Sequence, residues 1–362
     1  MDTLTTPRTY DAAKAVAPAL LAWYDRHRRR LPWRAEPGET PNPYHVWLSE
    51  VMLQQTTVPA VIPYFRKFTE KWPNIEALSR APLDDVLAAW AGLGYYARAR
   101  NLHKCAGEIA AQGGMFPQDE AALKALPGVG DYMAAAIASI SFDRPANVVD
   151  GNVERVVARF FAIESPLPGV KAEIRARAAE LAPRKRPGDY AQAMMDLGSG
   201  VCTPRSPKCL LCPLAGMCRA HALGVAETLP RKEKKKPKPT RHAVAFWLQS
   251  RDGGHVLMRR RPETGLLGGM LELPSTPWAE GTPWSDAEAR AHLPAGAERL
   301  NWRKAEGQAL HTFTHFHLIA EVWCAETDAD LSALGIAQPV NALGDAAIPT
   351  VIAKMIRLAR QS

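Results

Sequence analysis

The chain has 362 residues, 45 Lys and Arg against 37 Asp and Glu, a net charge of +8 and 47% hydrophobic residues. That length exceeds one ordinary core and predicts two domains, each able to bury its own interior, which excludes a chain that folds only on a partner. The basic balance favours a polyanionic partner.

The apolar stretch 15–24 is interrupted by Pro18, flanked by charge and without a cleavage-site pattern. It is too short to span a bilayer and predicts an amphipathic helix in a cytosolic protein. From residue 10 to about 223 apolar residues recur with helical spacing: Trp47, Val51 and Val58 on one face, Leu83, Val86, Leu87 and Trp90 on another. The first domain, 10–230, is therefore expected to be nearly all helix.

Within SEVMLQQT (49–56), Glu50 sits among Trp47, Val51 and Leu53 on an otherwise apolar helix. A carboxyl so placed prefers to keep its proton. Further on, LPGVG (126–130) sets Leu126, a proline, Gly128 and Gly130 just before a new helix. The turn's amides and the helix N-terminus can hold a phosphate, although any helix-to-helix turn can use Pro and Gly. VVDGNV (148–153) then places Asp150 at the mouth of a helix running through Val156, Val157 and Phe160. The plainer reading is that Asp150 or Asn152 is only an N-cap.

Of six cysteines, Cys202, Cys209, Cys212 and Cys218 form the pattern C-x6-C-x2-C-x5-C, while Cys105 and Cys324 stand alone. The clustering argues for metal binding over a disulfide framework, and four thiolates complete either a zinc site or an iron-sulfur cluster. The asymmetric order, with a single knuckle, suits a cluster wrapped by one loop. Arg205, Lys208 and Arg219 lie among these cysteines and would make that loop basic.

Residues 231–241, RKEKKKPKPTR, carry no apolar side chain and read as a solvated linker. Beyond it the pattern changes to strand-like runs at 242–249, 255–260 and 315–324, and a helical run at 348–359 closes the chain. The second domain, 242–362, is expected to be mixed α+β.

At these residues the chain resembles the adenine DNA glycosylase family, within the helix-hairpin-helix superfamily that also contains endonuclease III. The resemblance covers nearly the whole chain and rests on LPW (31–33), SEVMLQQT, GLGYYARARNLH (92–103), LPGVG, VVDGNV, QAMMDLG (192–198) and the four cysteines. It implies a glycosylase acting on adenine mispaired with 8-oxoguanine or guanine in double-stranded DNA. Glycosidic cleavage needs a proton for the departing base and negative charge near the cationic sugar, so two carboxylates in different environments suit it. The resemblance gives Glu50 the first role, at adenine N7, and Asp150 the second.

It further implies a 4Fe-4S cluster on Cys202, Cys209, Cys212 and Cys218, and a hairpin at Leu126, Gly128 and Gly130 gripping DNA phosphate. Gln55 and a tyrosine of Tyr95 and Tyr96 match the region that fills the gap left by the extruded base. Trp33, Arg34 and Asp196 match positions near the adenine pocket; the plainer readings are core packing for Trp33 and a salt bridge for Asp196. Endonuclease III has a lysine nucleophile where this chain has Tyr132, after Asp131, and many family members have a lysine where Glu154 stands. Both departures predict a monofunctional enzyme with little strand cleavage.

The C-terminal half resembles the family's Nudix-like domain through RRPETGLLGGMLELP (260–274), but the glutamate-rich continuation is missing. It is therefore read as a binding module rather than a pyrophosphatase. Phe313, Thr314 and His315 match a segment with Ser usually in the middle, and a hydroxyl there could read the N7 donor and O8 acceptor of oxidised guanine. A metal site on the histidines of 311–317 is the rival reading. Two other functions compete for the whole chain: a pyrimidine-specific glycosylase with lyase activity, which needs the missing lysine, and a catalytically silent cluster protein that binds DNA or senses redox state. A monomer in a bacterial cytoplasm completes the expectation.

Overall fold

The computed structural model describes residues 9–233, 237–344, 346 and 348–362. The chain divides into two compact units, one of Met1–Arg80 with Lys104–Lys235 and the other of Ala81–His103 with Lys236–Ser362. Residues 81–103, read from the sequence as part of the helical domain, thus group with the C-terminal unit.

In chain order the helices are α1 (Thr9–His27), α2 (Pro43–Leu53), α3 (Val58–Lys71), α4 (Ile75–Arg80), α5 (Leu83–Trp90), α6 (Ala97–Ala111), α7 (Glu120–Ala125), α8 (Asp131–Phe142), α9 (Gly151–Phe160), α10 (Lys171–Leu181), α11 (Pro187–Gly200) and α12 (Arg219–Ala222). The helical spacing put Val58 on the face of Trp47 and Val51, whereas α2 ends at Leu53 and Val58 opens α3. Gln55 takes a left-handed backbone with φ 55°. Pro59, in the first turn of α3, has no N–H to continue a helix from behind.

The core of the first unit brings together Val16, Leu20 and Tyr24 of α1, Val153, Val156 and Val157 of α9, Ile174 of α10, and Met194 and Leu197 of α11. Each such burial is worth roughly 1.5–3 kcal/mol, and together these contacts fix where α9 begins. Close backbone approach refines that position. A Cβ on Gly198 of α11 would lie 2.6 Å from the Cβ of Asn152, so only glycine allows the two helices this near.

The second unit is built on a mixed sheet of order β3-β2-β1-β7-β5. Its strands are β1 (Thr240–Ser250), β2 (His255–Arg260), β3 (Leu271–Glu272), β4 (Ala279–Glu280), β5 (Arg303–Lys304), β6 (Ala309–Thr312), β7 (His317–Thr327) and β8 (Ile336–Pro339). β1 and β7 run parallel in continuous register from Thr240 opposite His317 to Ser250 opposite Thr327. Burial on both faces explains the unbroken apolar run of β1. Ala243, Ala245 and Trp247 meet Val351, Ile352 and Met355 of α14 (Thr350–Arg360), while Val244, Phe246 and Leu248 pack with Trp302, Trp323 and Ala289 of α13 (Asp286–Arg290).

Part of the basic segment is anchored. The Leu167 amide donates to the Arg231 carbonyl at 2.9 Å, and Thr240 and Arg241 belong to β1. Residues 234–236 lie outside the described residues. His315, read as the start of a strand, sits instead in the β6–β7 turn. Among the described residues no helix is long and apolar enough to cross a membrane.

Candidate active site

α2 starts at Asn42, whose side chain caps the Tyr44 and His45 amides, and it buries nearly every side chain it carries. Glu50 is therefore 6% exposed between Ser49 and Val51, on a largely buried helix that shields it from solvent. Desolvation pushes its carboxyl up to about 7, and the negative charge of Asp150 adds to the rise. Two groups oppose it: the Tyr132 hydroxyl, which donates to Glu50 Oε2 at 2.8 Å, and the Arg34 guanidinium. Tyr132 lies in the first turn of α8 and is itself held neutral, its phenol pushed well up by burial and by the charges of Glu50 and Asp150. The structure thus brings Glu50, Tyr132, Asp150 and Arg34 into one electrostatic neighbourhood.

Asp150 is the N-cap of α9. Its Oδ1 accepts from the amides of Asn152 (2.9 Å) and Val153 (2.7 Å), and its Oδ2 from Asn152 Nδ2 (2.8 Å). Capping and placing a carboxylate are one arrangement here, since the helix start aims the group and its dipole favours the negative charge. The two carboxyls therefore sit in contrasting surroundings, Glu50 in an apolar one and Asp150 among donors.

α9 also reaches the cysteine loop. Arg155 donates from Nη2 to Asn152 Oδ1 (2.9 Å) and to the Gly198 carbonyl (2.6 Å), and from Nε to the Cys202 carbonyl (2.7 Å). One turn on, Arg159 is 1% exposed and donates from Nη1 to Cys202 Sγ (3.3 Å) and the Thr203 carbonyl (2.7 Å), and from Nε to the Leu229 carbonyl (2.9 Å). Sequence reasoning missed both arginines, because most of their partners lie 43–70 residues away.

The donor set tests whether a metal group fits. All four thiols are free of disulfides, and Cys202, Cys212 and Cys218 pack against the core that carries α9. The Cys212 thiol, pushed up to about 11 by burial, receives the Leu214 amide, and Cys218, also pushed up, receives the amides of His221 and Ala220. N–H groups aimed at sulfur, with a guanidinium on Cys202, suit thiolates that a bound cation has deprotonated. Among the described residues no three His, Cys, Asp or Glu side chains converge on a single ion. Four free thiols on one short loop, with N–H groups and a guanidinium on their sulfurs, are a donor set that fits an iron-sulfur cluster.

Asp196 is 2% exposed and its carboxylate is taken up by arginine: Arg34 binds it through both terminal nitrogens (2.7 and 2.8 Å) and Arg29 through Nε (2.5 Å) and its backbone amide (3.1 Å). Trp33 packs edge-on against Phe65 at 5.3 Å. With Arg34, Val46 and Gln192, Trp33 also lines an open cavity of about 710 Å³, in which Glu50 and Asp150 take no part. Gln192, the first residue of QAMMDLG, was not singled out from the sequence.

LPGVG joins α7 to α8 as a hairpin. Leu126 is buried, Gly128 takes φ 76°, and Gly130 is the N-cap of α8. A cavity of about 540 Å³ beside it is lined by Lys124, Asp131, Tyr132, Asn147 and Arg175. Gln55 is exposed at its left-handed position in the first unit.

In the second unit Tyr96 is buried, whereas Tyr95 is 46% exposed with φ 49°. Its hydroxyl lies 2.7 Å from Thr314 Oγ1. Thr314 and His315 are the exposed tip of the β6–β7 hairpin, closed by the Phe313 amide donating to the Phe316 carbonyl at 2.8 Å. Between β4 and β5 lies the short α13, where Glu288 is spent in a capping box with Ser285 and Asp286 on Lys304.

Three family models match in chain order: the HhH-GPD superfamily base excision DNA repair protein over residues 48–183, the iron-sulfur binding domain of endonuclease III over 202–218, and the NUDIX domain over 244–358. The adenine DNA glycosylase of Mus musculus is 34% identical over 85% of this chain and 70% of its own length. That of Schizosaccharomyces pombe is 31% identical over 86% of this chain and 82% of its own. The chain belongs to the adenine DNA glycosylase family. The human relative, 35% identical, is matched over 66% of its length, so this chain spans about two thirds of it. A thermostable thymine-DNA glycosylase superimposes with a TM-score of 0.53 at 29% identity, over 59% of this chain and 99% of that one. Endonuclease III in a non-covalent DNA complex, 24% identical with a TM-score of 0.50, covers 60% of this chain and 98% of its own and shares the fold. The family makes the chain a base-excision DNA glycosylase that carries an iron-sulfur binding domain and a Nudix domain.

Proposed function

We propose that this chain, as a monomer in a bacterial cytoplasm, hydrolyses the N-glycosidic bond of adenine mispaired with 8-oxoguanine, and less readily with guanine, in duplex DNA. The observation that carries the reading is Glu50, a buried carboxyl raised to about 7 and held by Tyr132, with the charge of Asp150 close enough to raise it further. A group that titrates near the working pH is suited to give up a proton. Glu50 delivers it to adenine N7, the C1′–N9 bond breaks with its electron pair leaving on the base, and the sugar becomes an oxocarbenium ion. Asp150, aimed by the α9 N-terminus, stabilises that cation until water adds at C1′ and leaves an abasic site.

Strand cleavage needs an amine to form a Schiff base, and Asp131 and Tyr132 supply none at that turn. Glu154 pairs with Lys171 at 3.0 Å. The enzyme is accordingly monofunctional. A 4Fe-4S cluster on Cys202, Cys209, Cys212 and Cys218 would supply a cross-link that orders the basic loop, and Arg155 and Arg159 tie that loop to the start of α9. Gln55 and Tyr95 fill the gap in the duplex, the hairpin with Leu126, Gly128 and Gly130 holds phosphate, and the Phe313, Thr314 and His315 tip reads oxidised guanine.

The test is base release from duplexes carrying adenine opposite 8-oxoguanine, adenine opposite guanine, and thymine opposite guanine, with the free base separated by chromatography. Adenine release, fastest opposite 8-oxoguanine and without thymine release, is the expected result. Release of thymine, or equal rates opposite the two guanines, would overturn the assignment.

A further inference from the structure

The hairpin tip that carries Thr314 and His315 is a two-residue turn closed by one hydrogen bond, and such a turn does not hold itself rigid. What surrounds its base is unusual. Phe313 stacks on Phe316 with ring centroids 4.7 Å apart, His311 meets Phe313 edge-on at 4.6 Å, and Trp278 lies against Phe313 at 5.8 Å. Each end of this row carries a cation: the Arg241 guanidinium lies 4.4 Å from the Phe316 ring centre and that of Arg261 lies 4.8 Å from Trp278. Arg261 is in turn fixed by Glu272, a buried carboxylate on β3 that also binds Arg259 at 2.8 Å. From the basic segment, Lys238 Nζ donates to the Phe313 carbonyl at 2.8 Å, and the Pro239 carbonyl accepts from the His317 amide at 2.9 Å.

We infer that this row, Arg261–Trp278–Phe313–Phe316–Arg241 with Lys238 on the Phe313 carbonyl, is a clamp that holds the hairpin tip in one conformation, so that Trp278 and Lys238 are positioning residues for discrimination of the base opposite the target. The inference rests on the lesion-reading role proposed above for the tip. Its physical basis is the size of the difference to be read. Guanine and 8-oxoguanine differ at N7 and C8 alone, and a hydroxyl distinguishes them only if it is held to within about 0.5 Å. Cation–ring and ring–ring contacts do this without adding groups at the tip, where the Thr314 hydroxyl already meets that of Tyr95. The last residues of the basic segment are then part of the reader as well as a connection to it.

The test uses the full chain with its iron-sulfur group and compares Trp278→Leu, Trp278→Phe, Lys238→Met and Lys238→Arg with Thr314→Ala. The readout is the ratio of single-turnover excision rates for adenine opposite 8-oxoguanine and opposite guanine. Trp278→Leu and Lys238→Met should lower that ratio by about tenfold, with adenine–guanine excision within about twofold of wild type, and Trp278→Phe and Lys238→Arg should restore most of it. Amide hydrogen exchange across 312–317 should quicken in Trp278→Leu and Lys238→Met alone, which follows the tip directly even if a variant is less stable. An unchanged ratio in Trp278→Leu and Lys238→Met, while Thr314→Ala loses it, would overturn the clamp and leave the reading role intact. An unchanged ratio in Thr314→Ala would overturn the reading role and the clamp with it.

Discussion

Glu50 keeps its proton up to about pH 7 because burial outweighs the Tyr132 hydroxyl, which hydrogen-bonds the ionised form and holds the carboxyl down. Tyr132→Phe deletes that 2.8 Å bond and keeps the ring. A hydrogen bond to a charged group is worth about 1.5–3 kcal/mol, and roughly 1.4 kcal/mol is one pKa unit, so Glu50 in the variant should titrate about one to two units higher. The assay is the second-order rate constant of single-turnover excision from about pH 5 to 10, which reports ionisations of the free enzyme. The alkaline limb should fall near 7 in the wild type, where Glu50 titrates, and move up in Tyr132→Phe. A limb that stays in place, or moves down, would refute the claim that this hydroxyl acts on the acid.

Stability carries the same signature. The Glu50 carboxyl is raised on folding from 4.5 to about 7, so the wild type is progressively penalised as pH rises through that window. Glu50→Gln should melt later than wild type at about pH 8, by the equivalent of about 3 kcal/mol, and the difference should vanish near about pH 4. In Asp196→Asn, Arg34 keeps its burial without an anion, and the loss should be about 3–5 kcal/mol, read as a lower thermal midpoint; a loss under about 1 kcal/mol would mean Arg34 finds another acceptor. Gly198→Ala drives a methyl to 2.6 Å from the Asn152 Cβ and 3.1 Å from its Cα. It should cost about 1–3 kcal/mol and slow excision more than it weakens DNA binding, because the displaced group is the one that aims Asp150.

Local patterns were legible in the sequence where one stretch of chain contained the whole signal. Helical spacing, the four cysteines and the switch to strand-like runs gave both parts of the fold. The lone carboxyl in α2 announced a desolvated Glu50 because Trp47, Val51 and Leu53 around it in the helix are apolar. What was not legible depends on partners far apart in the chain. Asp196 meets arginines 162 and 167 residues away, and Arg155 joins Asn152 to Cys202 across 47. Lys238, in a segment that read as solvated, finds the Phe313 carbonyl 75 residues on. Residues 81–103 carry α5 and the start of α6, but only contacts such as Tyr95 with Thr314 and Arg260 with Asp84 place them with the C-terminal unit. Periodicity reports which face of a helix is buried and says nothing of which body buries it.

The central claim is that Glu50 delivers the proton and that no amine follows it. Single-turnover excision on a duplex with one adenine opposite 8-oxoguanine tests this, comparing wild type with Glu50→Gln and scoring strand breaks before and after alkali, with duplex affinity measured in parallel. Breaks that appear only after alkali with wild type, and a rate at least about a hundredfold lower in Glu50→Gln at unchanged affinity, are the predicted result. Normal excision by Glu50→Gln, or breaks without alkali, would contradict it.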